Sequence, residues 1–71
     1  MMEEVTSPLS GKVLRINVKP GDKVDDATSL LVLESMKMEI DIYPSSEGVV
    51  KEIKVKEGDN VEVGQLLAII E

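Results

Sequence analysis

One lysine stands alone in the middle of the chain. Between Val24 and Val50, Lys37 is the only cation, set among Asp25, Asp26, Glu34, Glu39, Asp41 and Glu47. It lies in the run Glu34-Ser35-Met36-Lys37-Met38-Glu39, with a methionine on each side. A primary amine can be acylated to a neutral amide on a long, flexible arm. Acidic neighbours favour the protonated amine, so Lys37 is expected to depend on a modifying enzyme for the base and the activated acyl group. A surface lysine is ordinarily just solvated. The methionines argue for more than that. Two thioethers beside a turn serve no folding purpose that Ser or Thr would not serve better, whereas a flexible, polarizable side chain suits a surface that must adapt to several partners.

Composition narrows the chemistry further. Seventy-one residues allow one domain, spanning 1–71, with a thin core, because a chain this short buries only roughly 60% of its unfolded surface. The chain has no Cys and no His, so thiol chemistry, the commonest general base and the commonest metal ligand are all absent. Tyr43 is the only aromatic residue, which leaves no platform for stacking bases. A net charge of −6 repels phosphate backbones and argues against nucleic acid. No apolar run approaches the ~20 residues of a membrane span, and the N-terminal MMEEVTS lacks the pattern of a signal sequence. A cytoplasmic protein without membrane insertion is expected.

The elements that must hold Lys37 are strands. Apolar runs flank the lysine segment, Leu30 to Leu33 before it and Ile40 and Ile42 after it, which predicts a hairpin with Lys37 at its tip. The chain is also written twice. Gly11–Glu34 and Gly48–Glu71 align without a gap at an offset of 37, with ten identities in 24 positions. Two copies are too few for a solenoid and are expected to pair about a pseudo-twofold axis. Ile16-Asn17-Val18-Lys19 and Ile53-Lys54-Val55-Lys56 alternate as strands do. The step of three from Val13 to Ile16, repeated from Val50 to Ile53, predicts a bulge or bend at the same place in both halves. Pro20-Gly21-Asp22 and Glu57-Gly58-Asp59 read as turns whose glycines take positive φ. Asp25–Ser29 and Glu62–Gln65 read as short loops. No helical periodicity is sustained, so the fold class is all-β: a flattened barrel or sandwich of two antiparallel halves. In it the repeat sets the Glu34–Ile40 hairpin of one half against the gap between Met1 and Glu71 in the other, at opposite ends of the barrel.

Over nearly its whole length the sequence resembles the biotinyl/lipoyl attachment domains. Met36-Lys37-Met38 matches the centre of the Ala-Met-Lys-Met biotin attachment signature, with Ser35 in place of alanine. The resemblance implies a barrel-sandwich fold and covalent biotin on Lys37, placed there by a biotin protein ligase. It makes Met36 and Met38 recognition flanks, with Glu34, Ser35 and Glu39 completing the hairpin. It further implies a carrier without catalytic residues, moving a carboxyl group between the biotin carboxylase and carboxyltransferase parts of a biotin-dependent carboxylase or decarboxylase. The thumb inserted in the first half of bacterial acetyl-CoA carboxylase carriers has no counterpart in the gapless repeat.

Three other readings compete. Lipoyl domains share the fold and also modify a hairpin lysine, so lipoate is the alternative cofactor. They typically carry an acidic residue immediately before that lysine and lack the paired methionines, so Met36 and Met38 favour biotin. An unmodified adaptor barrel is the second alternative. The third is a carboxylate enzyme using Glu34 and Glu39, which could approach across the hairpin as acid and base, but so short a chain leaves little room for a cleft. Asp22, Asp25 and Asp26 do not follow the order of a calcium-binding loop, and no metal site is expected.

Overall fold

The computed structural model describes residues 2–71 and contains only strands: β1 (Glu3–Thr6), β2 (Gly11–Ile16), β3 (Lys23–Val24), β4 (Leu31–Ser35), β5 (Met38–Ile42), β6 (Gly48–Ile53), β7 (Asn60–Val61) and β8 (Leu66–Ile70). They form two antiparallel four-stranded sheets of order β1-β8-β6-β3 and β5-β4-β2-β7. An offset of 37 converts one order into the other, strand by strand, so the expected pseudo-twofold relation of the halves holds at the level of topology.

The relation extends to register. Glu3 faces Ile70 and Val5 faces Ala68, as Ile40 faces Leu33 and Ile42 faces Leu31. The repeat therefore begins earlier than the sequence identities show, because β1 is the counterpart of β5. The expected bulges are present at equivalent places, where register shifts between Val13 and Arg15 in β2 and between Val50 and Glu52 in β6.

Each bulge receives the turn of the opposite half. Gly21 N–H donates to Val50 O at 2.8 Å and Val50 N–H to Asp22 O at 2.9 Å. Reciprocally, Gly58 N–H donates to Val13 O at 2.8 Å and Val13 N–H to Asp59 O at 2.8 Å. A bulge frees ladder groups of its strand, and here the other half's turn satisfies them. Gly21 and Gly58 adopt φ of 96° and 94°, the positive values expected of these turns. Each turn is closed by its own aspartate, which accepts the N–H of Lys19 (Asp22, 3.0 Å) or Lys56 (Asp59, 2.9 Å).

The core lies between the sheets and is equally symmetric. Val13 and Val50, Leu30 and Leu67, Leu31 and Ala68, and Leu33 and Ile70 are paired by the repeat and buried together. Chain path then sets the ends. β2 starts at Gly11, pairing with β7 near the hairpin, and runs through its bulge and the Gly21 turn to Val24, which pairs with Gly48. Glu71 exchanges both backbone hydrogen bonds with Val49 there, at 2.7 and 2.8 Å. The hairpin and the C-terminus occupy opposite ends, and Glu3 opposite Ile70 brings the start of the chain to the C-terminal end. Met1, which the repeat sets beside Glu71, lies outside the described residues.

Candidate functional site

The hairpin forms where expected. β4 and β5 pair in continuous register from Leu31↔Ile42 to Ser35↔Met38, leaving Met36 and Lys37 as a two-residue turn. Both turn residues are left-handed, Met36 at φ 52° and Lys37 at φ 67°, the pattern of a type I′ turn, whose twist matches that of the flanking strands. Such turns favour Asn-Gly. A side chain bearing Cβ pays roughly 1–2 kcal/mol for the left-handed region. The hairpin's roots outweigh that cost. Leu31 and Leu33 are fully buried and Ile42 nearly so, and each such side chain contributes roughly 1.5–3 kcal/mol on burial.

The tip projects its side chains into solvent. Met36 is 92% exposed and Met38 60%. Lys37 is exposed and forms no ion pair among the described residues. Ser35 is half-buried, while Glu34 and Glu39 are exposed cross-strand partners. The structure thus brings together all six residues singled out by the sequence. Two basic residues that the sequence reading passed over complete the surround. Lys12 is the β2 partner of Glu34, and the Arg15 guanidinium lies 3.6 Å from Glu39 Oε1. Like charges facing each other across strands are destabilising, and these cations offset them. Neither was visible beforehand, because the pairing of β2 with β4 sets their positions.

A shallow groove of about 420 Å³ runs beside the hairpin, with Ser10, Asn60 and Glu62 on one side and Ser35 and Met36 on the other. It is open to solvent. Glu34 lines this groove. Among the described residues no helix is long and apolar enough to cross a membrane.

Two twofold-related sheets presenting a lysine on a tight hairpin define a small barrel-sandwich. The chain belongs to the biotin/lipoyl attachment family, described as "Biotin-requiring enzyme", which matches residues 3–70. It is 37% identical over 70 residues to a biotinylated protein TB7.3 homolog of Mycobacterium leprae, covering 99% of both chains. It is also 46% identical over 59 residues, 83% of this chain, to the dihydrolipoyllysine-residue acetyltransferase component of the pyruvate dehydrogenase complex of Cupriavidus necator, of which it spans 11%. Among solved structures, the urea carboxylase of Kluyveromyces lactis matches the whole chain with a TM-score of 0.94 at 31% identity, over 6% of its own length. Domains of this family hold biotin or lipoate covalently and act as carriers, not catalysts.

Proposed function

We propose that Lys37 is the attachment residue, that a biotin protein ligase loads it with biotin, and that the domain is the carboxyl carrier of a cytoplasmic biotin-dependent carboxylase. The observation that carries this reading is the exposed, ion-pair-free Lys37 on a strained turn between two exposed methionines. The amine fits the group: it stands clear of the sheets and competes with no neighbour for its proton donors. When bound, biotin supplies the nitrogen that accepts and releases a carboxyl group.

The chain's own residues hold and present that arm. Lys37 Nζ forms the amide with the activated acyl group. The Ser35↔Met38 pair fixes the tip, and Met36 and Met38 offer apolar, adaptable contacts to the ligase and then to the biotin carboxylase and carboxyltransferase. Tethering through the opposite end of the barrel raises the arm's effective concentration to the order of mM for short links. Lipoate is the second reading, supported by the 46% identity to the acetyltransferase component. The paired methionines favour biotin over it.

Co-expression with a biotin protein ligase, and separately with a lipoate ligase, followed by intact-mass measurement, tests both. One biotin per chain is expected, lost in Lys37→Arg. Lipoate alone would replace biotin as the cofactor. Modification surviving in Lys37→Arg would overturn the site, and no modification by either ligase would leave an unmodified adaptor.

A further inference from the structure

Among the described residues, the two methionines that flank Lys37 are also the most exposed sulfur-bearing side chains. With no Cys in the sequence, thioethers are its only oxidisable sulfur side chains. Among the described residues Met36 at 92% and Met38 at 60% expose more of their surface than Met2 at 57%. Exposure of Met38 and Met2 is similar, but their sulfurs differ. Met2 Sδ accepts a hydrogen bond from Lys51 Nζ at 3.5 Å, which engages one of its two lone pairs and lowers the sulfur's nucleophilicity. Met36 and Met38 have no such donor among the hydrogen bonds of the described residues. Both sit at the tip of the hairpin, Met36 in the left-handed turn and Met38 at the first ladder pair, beyond the buried strand roots.

We propose that Met36 and Met38 form an oxidation site that gates loading of Lys37. The oxidant is hydrogen peroxide. The sulfur lone pair attacks one peroxide oxygen, the O–O bond breaks, the S–O bond of the sulfoxide forms and water leaves. The sulfur loses two electrons and the peroxide gains them. The sulfoxide is a polar, chiral group where the thioether was flexible and apolar. A ligase surface shaped for thioethers on both sides of Lys37 then faces polar groups that it cannot partner. Reduction by a methionine sulfoxide reductase restores the site. The fold survives the change, since both side chains lie outside the core.

The inference rests on the proposed loading of Lys37, and its test separates the two. Unloaded protein is treated with hydrogen peroxide, the peroxide is removed, and sulfoxides are mapped by peptide mass spectrometry. Acylation of treated and untreated protein is then timed with biotin protein ligase, biotin and ATP, or with lipoate ligase if that enzyme alone loads the untreated protein. Sulfoxide is expected at Met36 and Met38 before Met2. Acylation should slow roughly tenfold or more, the order that an unpartnered polar group costs in an apolar contact. Sulfoxide reductase should restore the rate. The double variant Met36→Leu/Met38→Leu, compared with its own untreated rate, should show a ratio near unity. Earlier oxidation of Met2, unchanged acylation with both sulfoxides in place, or equal slowing of the Leu variant would each overturn the gate. Failure of both ligases on untreated protein would instead overturn the proposed loading, and with it the gate.

Discussion

Gly11 lies so close beneath the root of the hairpin that a Cβ at that position would stand 2.7 Å from the carbonyl oxygen of Glu34. Only a residue without a side chain lets β2 approach there. The repeat reproduces the contact at the other end, where a Cβ on Gly48 would meet Glu71 O at 2.8 Å and Ile70 Cγ2 at 2.7 Å. The pair separates stability from presentation of the lysine. Gly11→Ala and Gly48→Ala are each expected to destabilise by about 1–3 kcal/mol, the usual cost of overpacking. Only Gly11→Ala should also slow acylation of Lys37, because only it displaces Glu34 and the strand leading to the tip. Thermal melts and ligase kinetics on both variants check this. Equal effects on acylation would remove any special role for the Gly11 contact.

Strain at Met36 gives a second expectation. Asn tolerates the left-handed region and is favoured at the first position of a type I′ turn. Met36→Asn should therefore raise stability by about 1 kcal/mol while slowing acylation, since it relieves the backbone and removes one apolar flank. A loss of stability in denaturant unfolding would show that the turn is not strained at that residue.

The same turn marks the limit of what the sequence disclosed. Apolar runs on both sides of Lys37 announced the hairpin, but nothing in Met36-Lys37 signals positive φ, which is read from Gly or Asn. The bulges were legible because Val13 to Ile16 and Val50 to Ile53 break alternation in the same way. The turns were legible because Gly21-Asp22 recurs as Gly58-Asp59. By contrast, β1 escaped notice as the counterpart of β5. Positions 2–10 and 39–47 share no identical residue; what they share is register, with Val5 and Ile42 buried at equivalent points. Gly64, at φ 84°, was hidden for a related reason, because Ala27 stands at the equivalent position. Strands β3 and β7 are two residues long, too short for any period to register. Arg15 became part of the site only through tertiary pairing, which one-dimensional spacing does not encode.

Acid should loosen the cross-half turns in a defined direction. The Asp22 carboxylate is held below the ordinary carboxylate value of 3.8, chiefly by the backbone N–H of Lys19 and then by that residue's ammonium. Glu52 is held low by Lys54 beside it, at 2.7 Å. A carboxylate whose folded pKa is depressed stabilises the fold above its unfolded pKa, and the contribution fades as pH falls through the folded value. Asp22→Ala should therefore melt below the parent protein at neutral pH, with the gap narrowing once pH drops below about 4. A gap that stays constant to strong acid would show that the carboxylate's charge contributes nothing.

The separation of Lys37 from the C-terminus yields the last expectation. Glu71 is bound to Val49 through both its backbone N–H and its carbonyl, at the end of the barrel where Val24 pairs with Gly48. Lys37 turns over at the other end, where Gly11 pairs with Val61. A folded domain fused after Glu71 should therefore leave the rate of acylation within about twofold, because neither the tip nor its approach is covered. Inserting four glycines between Lys37 and Met38 should have the opposite outcome. Lengthening a loop costs only about 0.6 kcal/mol per doubling, and the buried Leu31, Leu33 and Ile42 still anchor both strands, so the barrel should remain folded. The left-handed turn would be gone, however, and with it the fixed placement of the amine between its methionines. Ligase assays and near-native melting curves on the two proteins decide the matter. Full acylation of the insertion variant would show that the ligase needs neither the tight turn nor Met38 beside the lysine. Loss of acylation in the fusion would show that the two ends are not independent.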